Sequence, residues 1–275
     1  MTLATRDVSA RVQEGKTAPS PLFSFANVTF DYDPFPIGLA TDILPGDFYE
    51  ELLLNWPAAE LFEFKKSQGN KYVLSELHNP QAYRDFVRSC PPWQRFYAAV
   101  KSKEFVYQVL DMLLAHHIDL GLHGKQVNTS YPLSGLAGRI QSLLGKLKRA
   151  VRGQGYLNVR FEFSMLPADG GCVKPHTDAP GKIITLVLSM VREGEWDHSF
   201  GGGTDVLRPK DMTKNYNHLN KQLEFDEVEV LKTFPFNPNQ CVIFIKTFNS
   251  LHSVFPMTGA GSKAMRKTIT LNIWD

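Results

Sequence analysis

Long apolar runs and paired cysteines are what this 275-residue sequence most clearly lacks. It contains no 18-residue apolar stretch, and the opening segment MTLATRDVSARVQEGKTAPSP has no apolar signal-peptide core, so we expect neither a membrane span nor a secretory leader. The three cysteines, Cys90, Cys172 and Cys241, are scattered without metal-finger spacing, which favours reduced thiols in a cytoplasmic protein. A formal net charge of +2 gives no indication of nucleic-acid binding.

Residues 122–161 contain no acidic residue. Most of the basic residues in this stretch lie in the segment 125–152, which we call the basic segment. Within it, an apolar helical face is formed by Ile140, Leu143, Leu144, Leu147 and Val151. We favour a core-packed helix with a solvated basic face over a helix that contacts a membrane surface or an anionic substrate.

The remaining sequence divides into a leader, a helical region and a β-rich region. Residues 1–20 are predicted to be a flexible polar leader. Residues 21–155 are predicted to be mostly helical, with helices over 44–57 and over 91–117, the second broken near Ser102. Residues 156–275 are predicted to form short strands, at 156–165, 182–190, 204–208, 228–234, 240–248, 252–257 and 266–274. We therefore expect one compact α+β unit, in which the helical half packs against a C-terminal β-core.

Two His-x-Asp triplets occur, and their geometry differs. His117 and Asp119 are predicted to lie on a helix, where side chains two apart diverge by about 200° and cannot bind one ion. His176 and Asp178 precede the apolar stretch KIITLVLSM, and on a strand residues i and i+2 point to the same face. The second triplet is therefore the candidate metal-binding corner.

A third ligand is supplied by His252, which follows an apolar strand and an Asn-Ser turn. His198 and His218 are weaker candidates because their polar surroundings have no strand pattern that would hold them rigidly. Two imidazoles and one carboxylate form a face that leaves open positions on Fe(II).

Several motifs follow one another in the C-terminal half: PHTD, an apolar strand, FGGGTDVL, NPNQCVIFI, NSLHSVFPMTGAG and RKTITLNIW. In this combination the chain, from about residue 156 to its end, resembles the iron(II)- and 2-oxoglutarate-dependent oxygenases and is most similar to their prolyl-4-hydroxylase-like branch. The resemblance implies a double-stranded β-helix, or jelly roll, with the site inside one mouth. It also implies Fe(II), 2-oxoglutarate and dioxygen as cofactor and cosubstrates.

The same resemblance implies roles for particular residues. The metal ligands and catalytic residues correspond to His176, Asp178 and His252, and the residue that binds the distal carboxylate of 2-oxoglutarate corresponds to Arg266. A guanidinium suits that role because it can hold a carboxylate through two parallel hydrogen bonds. Where relatives often carry a Tyr, this sequence offers only Ser189 as a cosubstrate contact.

The implied reaction is hydroxylation, with succinate and carbon dioxide as coproducts. Halogenating relatives replace the carboxylate that corresponds to Asp178, and this sequence retains it. Two other functions use the same residues: a non-catalytic jelly-roll module that binds a sugar or small ligand, and a zinc hydrolase. The expected substrate is a small molecule or saccharide, with the acid-free segment favouring an anionic one, and Arg160, Asn158 and Glu162 either contact it or lie on a solvated outer face.

Overall fold

The structure, a computed structural model, describes residues 21–129 and 155–275, so the predicted leader and the predicted basic helix lie outside the described residues. Its described part contains four α-helices: α1 (Gly46–Leu54), α2 (Pro80–Ser89), α3 (Pro91–Val100) and α4 (Lys103–Ala115). None of them is long and apolar enough to cross a membrane.

Thirteen β-strands are found in the same residues. Five precede the segment 130–154: β1 (Val28–Asp31), β2 (Ile37–Ala40), β3 (Glu63–Lys65), β4 (Lys71–Ser75) and β5 (Gln126–Val127). Eight follow it: β6 (Tyr156–Pro167), β7 (Val173–His176), β8 (Lys182–Ser189), β9 (Thr204–Pro209), β10 (Val228–Phe234), β11 (Cys241–Ile245), β12 (His252–Val254) and β13 (Met265–Trp274). The mostly helical N-terminal half is thus not confirmed, because short strands in it extend the large sheet.

The break in the second predicted helix has a clear local cause. The Ser102 side chain accepts a hydrogen bond from the backbone N–H of Phe105 and so caps the start of α4. The sequence predicted this break correctly, but it placed the helix end too late. Helix α4 ends at Ala115, and His117 has a left-handed φ of 60°.

The strands form two sheets. The larger one has the order β1-β2-β11-β8-β13-β6-β4-β3, with β5 pairing in parallel at β6. The smaller one has the order β10-β9-β12-β7. Every pair except β5 with β6 is antiparallel, so the fold is a mixture of helices and antiparallel sheet.

Side-chain alternation gives the central strands of the large sheet two different faces. The predicted apolar face of β6 packs into the main core together with the helices; its members are Leu157, Val159, Phe161 and Phe163. The opposite face turns toward the small sheet, where Phe244 of β11 packs with Val206 of β9. The helices therefore cover one side of the large sheet, and the space between the sheets is free to hold a site.

A buried ion pair connects the helical layer with β6. The Lys101 ammonium lies 2.6 Å from a carboxylate oxygen of Glu76 and donates a hydrogen bond to the carbonyl of Val159 at 2.5 Å. Burial lowers the pKa of Lys101, while the charge of Glu76 raises it. The pair is nearly sealed from water, with 6% and 15% side-chain exposure.

We expect Lys101→Met to lower the free energy of unfolding by about 3 to 5 kcal/mol, because it leaves the Glu76 carboxylate buried without its partner. Lys174→Met is the matched control, since the ion pair of Lys174 with Glu224 is exposed and such pairs contribute about 1 kcal/mol or less. Urea denaturation of both variants measures the difference. Equal losses in the two variants would contradict a special role for the buried pair.

Candidate active site

The His-x-Asp corner lies at the end of a strand, as the chelation hypothesis required. His176 is the last residue of β7, and Asp178 follows two residues later with a left-handed φ of 69°. Aspartate tolerates this conformation better than most residues. Across the sheet, His176 is in register with His252, the first residue of β12. The antiparallel ladder thus places the two imidazoles side by side, with ring centroids 4.3 Å apart.

The three predicted ligands converge in space. Within residues 21–129 and 155–275, His176, Asp178 and His252 are the one group of three potential metal-binding side chains, and their donor atoms all lie within 4.8 Å of one another. Nε2 of His176 lies 3.6 Å from Oδ1 of Asp178, a separation that two donors bonded at about 2.1 Å to one ion can span. The arrangement fits a 2-His-1-carboxylate facial triad.

Both imidazoles are oriented by their second nitrogen. Nδ1 of His176 lies 2.9 Å from the carbonyl oxygen of Lys174, and Nδ1 of His252 lies 2.9 Å from that of Ser250. A carbonyl only accepts hydrogen bonds, so Nδ1 carries the proton in each ring. The Nε2 lone pair is then free to bind a metal, which is the usual second-shell pattern of histidine ligands.

The Asp178 carboxylate is held at both oxygens. The ammonium of Lys182 donates to Oδ1 at 2.6 Å, and the hydroxyl of Thr185 donates to Oδ2 at 2.9 Å. A register shift near Ile273 and Trp274 of β13 explains how Lys182 and Thr185, three apart on β8, both turn toward the site. Neither residue was singled out from the sequence, because a bulge leaves no mark in the alternation pattern.

Electrostatics keep the ligand side chains in their metal-binding forms. Burial, together with the neighbouring His176, lowers the pKa of His252 to about 3, so the ring is neutral at physiological pH. For Asp178, burial would raise the pKa, but interactions with His176 and with the charge of Lys182 outweigh it. The pKa of the carboxyl is therefore well below its usual value. The ring of Phe244 also stacks on His252 at 4.0 Å between centroids.

The competing histidines lie elsewhere. His117, His198 and His218 are all exposed, and none belongs to the group of three ligands. His198 is in a short 3-10 turn and His218 in a connection without regular structure.

A cavity of about 330 Å³ lies between the two sheets and is lined by His176, Asp178 and His252. Its wall also includes Arg266, which is only 5% exposed. The Arg266 guanidinium donates to the carbonyl of Gly202 at 2.5 Å and lies 4.6 Å above the ring of Phe236. It forms no direct ion pair with a carboxylate of the described residues; the charge of the buried Asp205 acts on it from beyond contact distance. Burial lowers its pKa to about 10, which leaves it charged at neutral pH.

The glycines of the motif FGGGTDVL, which precede β9, have a structural role. Gly202 has a φ of +82°, which strongly favours glycine, and a Cβ there would lie 2.8 Å from the Trp196 ring. This conformation presents the Gly202 carbonyl to Arg266. The neighbouring Thr204 lines the cavity and lies 3.4 Å from the same guanidinium.

Neither Lys267, the sequence neighbour of Arg266, nor Ser189, the predicted cosubstrate contact, lines the cavity. Lys267 does not line the cavity and its ammonium lies 3.8 Å from Glu195, so it points away, as alternation predicted. Ser189 is in register with Thr268 but does not line the cavity. The cavity-lining hydroxyls at this level belong to Ser164 and Thr268, which lie 2.8 Å apart. A cosubstrate contact by Ser189 stays a prediction.

Comparison with known proteins gives likenesses in structure alone. No protein-family model matches the chain, and no curated protein matches it. Solved structures similar to it are 2-oxoglutarate-dependent iron oxygenases, prolyl hydroxylases among them.

Three of these structures serve as examples. One is a Trichoplax adhaerens prolyl hydroxylase in complex with a hypoxia-inducible factor peptide (13% identity, 89% of this chain and 86% of that chain, TM-score 0.46). Another is a Pseudomonas putida prolyl-4-hydroxylase (12% identity, 89% of this chain and 95% of that chain, TM-score 0.41). The third is the α-ketoglutarate-dependent epimerase SnoN from nogalamycin biosynthesis (12% identity, 89% of this chain and 80% of that chain, TM-score 0.46). Because the identities and TM-scores are low, we base the functional conclusion on the residues of the site itself.

Proposed function

We propose that the protein is an Fe(II)- and 2-oxoglutarate-dependent dioxygenase that hydroxylates a substrate in the cavity between the sheets. The observation that carries this proposal is the convergence of a 2-His-1-carboxylate set and a buried arginine without a direct ion pair on one cavity. When bound, the iron, 2-oxoglutarate and dioxygen supply the oxidation, which yields succinate, carbon dioxide and a hydroxylated product.

His176, Asp178 and His252 would hold the metal. Three protein ligands on one face leave the remaining positions for a chelating cosubstrate and for dioxygen. The hydrogen bonds from Nδ1 to backbone carbonyls fix both rings, and Lys182 with Thr185 fixes the carboxylate. The set is therefore preorganised before any ion binds.

Arg266 would hold the distal carboxylate of 2-oxoglutarate. Its guanidinium is desolvated and lies against Phe236, so a carboxylate that enters the cavity gains a charge-assisted hydrogen bond in a site of low polarity. The hydroxyls of Thr204 and Thr268 line the same wall and can accept or donate further hydrogen bonds. The buried position also excludes water from the cosubstrate.

We infer further that the two sheets are the halves of a double-stranded β-helix. The order β6-β13-β8-β11 in the large sheet and β7-β12-β9-β10 in the small one supports it, because successive strands from β6 to β13 alternate between the sheets, except that β9 and β10 both belong to the small one. The division into a leader (1–20), an N-terminal region (21–155) and a catalytic core (156–275) is part of the same proposal. In support, helical residues and β6 share one continuous core.

For the substrate, we propose a small molecule. The cavity volume is near the lower end of the range typical of small-ligand sites, and it must also take 2-oxoglutarate. The preference for a saccharide stays a prediction from the sequence. A cytoplasmic location likewise rests on the cysteine pattern alone.

Two measurements test the proposed activity. Anaerobic addition of 2-oxoglutarate to the Fe(II)-loaded protein is expected to produce a weak visible charge-transfer band. Turnover in oxygen-18 gas is expected to place one labelled atom in succinate, detected by mass spectrometry. A jelly-roll binding module or a zinc hydrolase would give neither signal, so the absence of both would overturn the proposal in favour of one of them.

A further inference from the structure

Arg160 is a second cavity-lining arginine whose guanidinium has no acidic partner. It lies on β6, on the face that turns away from the helices, in register with Asn272 of β13. Its side chain is half-buried, and no hydrogen bond or ion pair joins its guanidinium to any residue within the described ranges. Its guanidinium carbon lies 5.1 Å from the centre of the Trp274 ring.

Every carboxylate that lines the cavity is already paired with another cation. Glu162 lies 2.6 Å from the ammonium of Lys71, and Glu76 lies 2.6 Å from that of Lys101. Asp178, the proposed metal ligand, lies 2.6 Å from Lys182. The unpaired positive charges of the cavity wall are therefore Arg266 and Arg160.

The two arginines occupy different parts of the cavity. Arg266 and Asn272, the partner of Arg160, are six residues apart on β13, which corresponds to about 20 Å along the strand. Asn272 is also in register with Thr185, whose hydroxyl donates to Asp178. Arg160, Asn272 and Thr185 therefore lie side by side on neighbouring strands, next to the metal-binding corner. Arg160 is too far from Arg266 for both to bind the same 2-oxoglutarate carboxylate.

We propose that Arg160, held against Trp274, forms an anion subsite that binds a carboxylate or phosphate group of the substrate. This inference rests on the proposed oxygenase function and narrows the substrate to an anionic small molecule. A guanidinium that stacks on an indole keeps its N–H groups in one plane, which suits bidentate binding of either anion. Beside the metal corner, such a contact would orient the substrate toward the open coordination positions.

Calorimetric titration with methyl phosphate and with acetate tests the subsite. The protein is first loaded with Fe(II) and saturating 2-oxoglutarate without oxygen, so that Arg266 is occupied. We expect at least one probe to bind the wild-type protein, and the probe that binds more tightly identifies the substrate group. Arg160→Gln is expected to weaken that binding at least about tenfold, and Arg160→Lys less, because lysine keeps the charge without the planar fork.

Arg192→Gln is the matched control, because Arg192 lies outside the cavity and pairs with Glu50 on the surface. It should leave probe binding unchanged. Failure of both probes to bind the loaded wild-type protein, or equal binding by Arg160→Gln, would overturn the subsite. The charge-transfer band separates the two proposals: a normal band without probe binding refutes only the subsite. A missing band with probe binding that still depends on Arg160 refutes only the oxygenase.

Discussion

His252→Ala is expected to abolish turnover and to lower the affinity for Fe(II) by more than about a hundredfold. Loss of a second-shell partner alone typically costs 10- to 100-fold in metal affinity, so loss of a direct ligand should cost more. His252 is also buried and stacked on Phe244, so its ring is held in place as a ligand. His176→Ala and Asp178→Ala should have the same effect, because all three ligands act on one ion.

The control is His117→Ala, which removes the histidine of the other His-x-Asp triplet. His117 is exposed and follows the end of α4, outside the ligand group. Iron titration followed by the charge-transfer band should therefore give the wild-type affinity for this variant. If His117→Ala lost iron as completely as His252→Ala, with circular dichroism showing both folded, the wrong triplet would have been chosen.

The C-terminal strands could be predicted because their sequences carry strong periodicity. Strand β6 alternates apolar and polar residues over most of its length, and the apolar members do face the helices. Strand β8 is a mostly apolar run that begins where it was predicted to begin, at Lys182. In such segments the local pattern and the tertiary environment agree, so sequence alone is sufficient.

The short strands were missed for the opposite reason. Strands β1 to β5 contain two to five residues each, too few to show a period, and they form because the open sides of the large sheet supply backbone partners. Strand β7 contains Pro175, which argues against a strand in sequence, yet its ladder with β12 positions His176. The contact that places Lys182 beside Asp178 depends on a register shift and could not be predicted.

The metal ligands illustrate both cases. The choice of His176 and Asp178 rested on strand geometry, but β7 ends at His176 and Asp178 has a left-handed φ of 69°, so the turn after the strand brings the carboxylate to the imidazole. That His252 is their partner followed from the order of motifs, and the ladder between β12 and β7 supplies the physical cause. The roles of the three side chains stay proposals that the iron titration tests.

Arg266→Ala is expected to raise the dissociation constant for 2-oxoglutarate by roughly thirtyfold or more while iron binding is retained. The variant would leave the distal carboxylate buried without its partner, and truncation of a buried charge pair costs about 2 to 5 kcal/mol. Since every 1.4 kcal/mol is about tenfold, 2 kcal/mol already corresponds to nearly thirtyfold. The ligands His176, Asp178 and His252 are untouched, so the protein should still load one Fe(II).

Lys267→Ala is the matched control because Lys267 is adjacent in sequence, carries the same charge and points away from the cavity toward Glu195. Titration of 2-oxoglutarate into both Fe(II)-loaded variants without oxygen gives the two affinities directly and avoids the ambiguity of KM, which equals affinity only when chemistry is slow. Arg266→Lys adds a finer comparison, since an ammonium restores the charge but not the two parallel hydrogen bonds, and it should recover part of the loss. An unchanged affinity in Arg266→Ala would remove this residue from the cosubstrate site. A large loss in Lys267→Ala instead would mean that β13 presents its other face to the cavity.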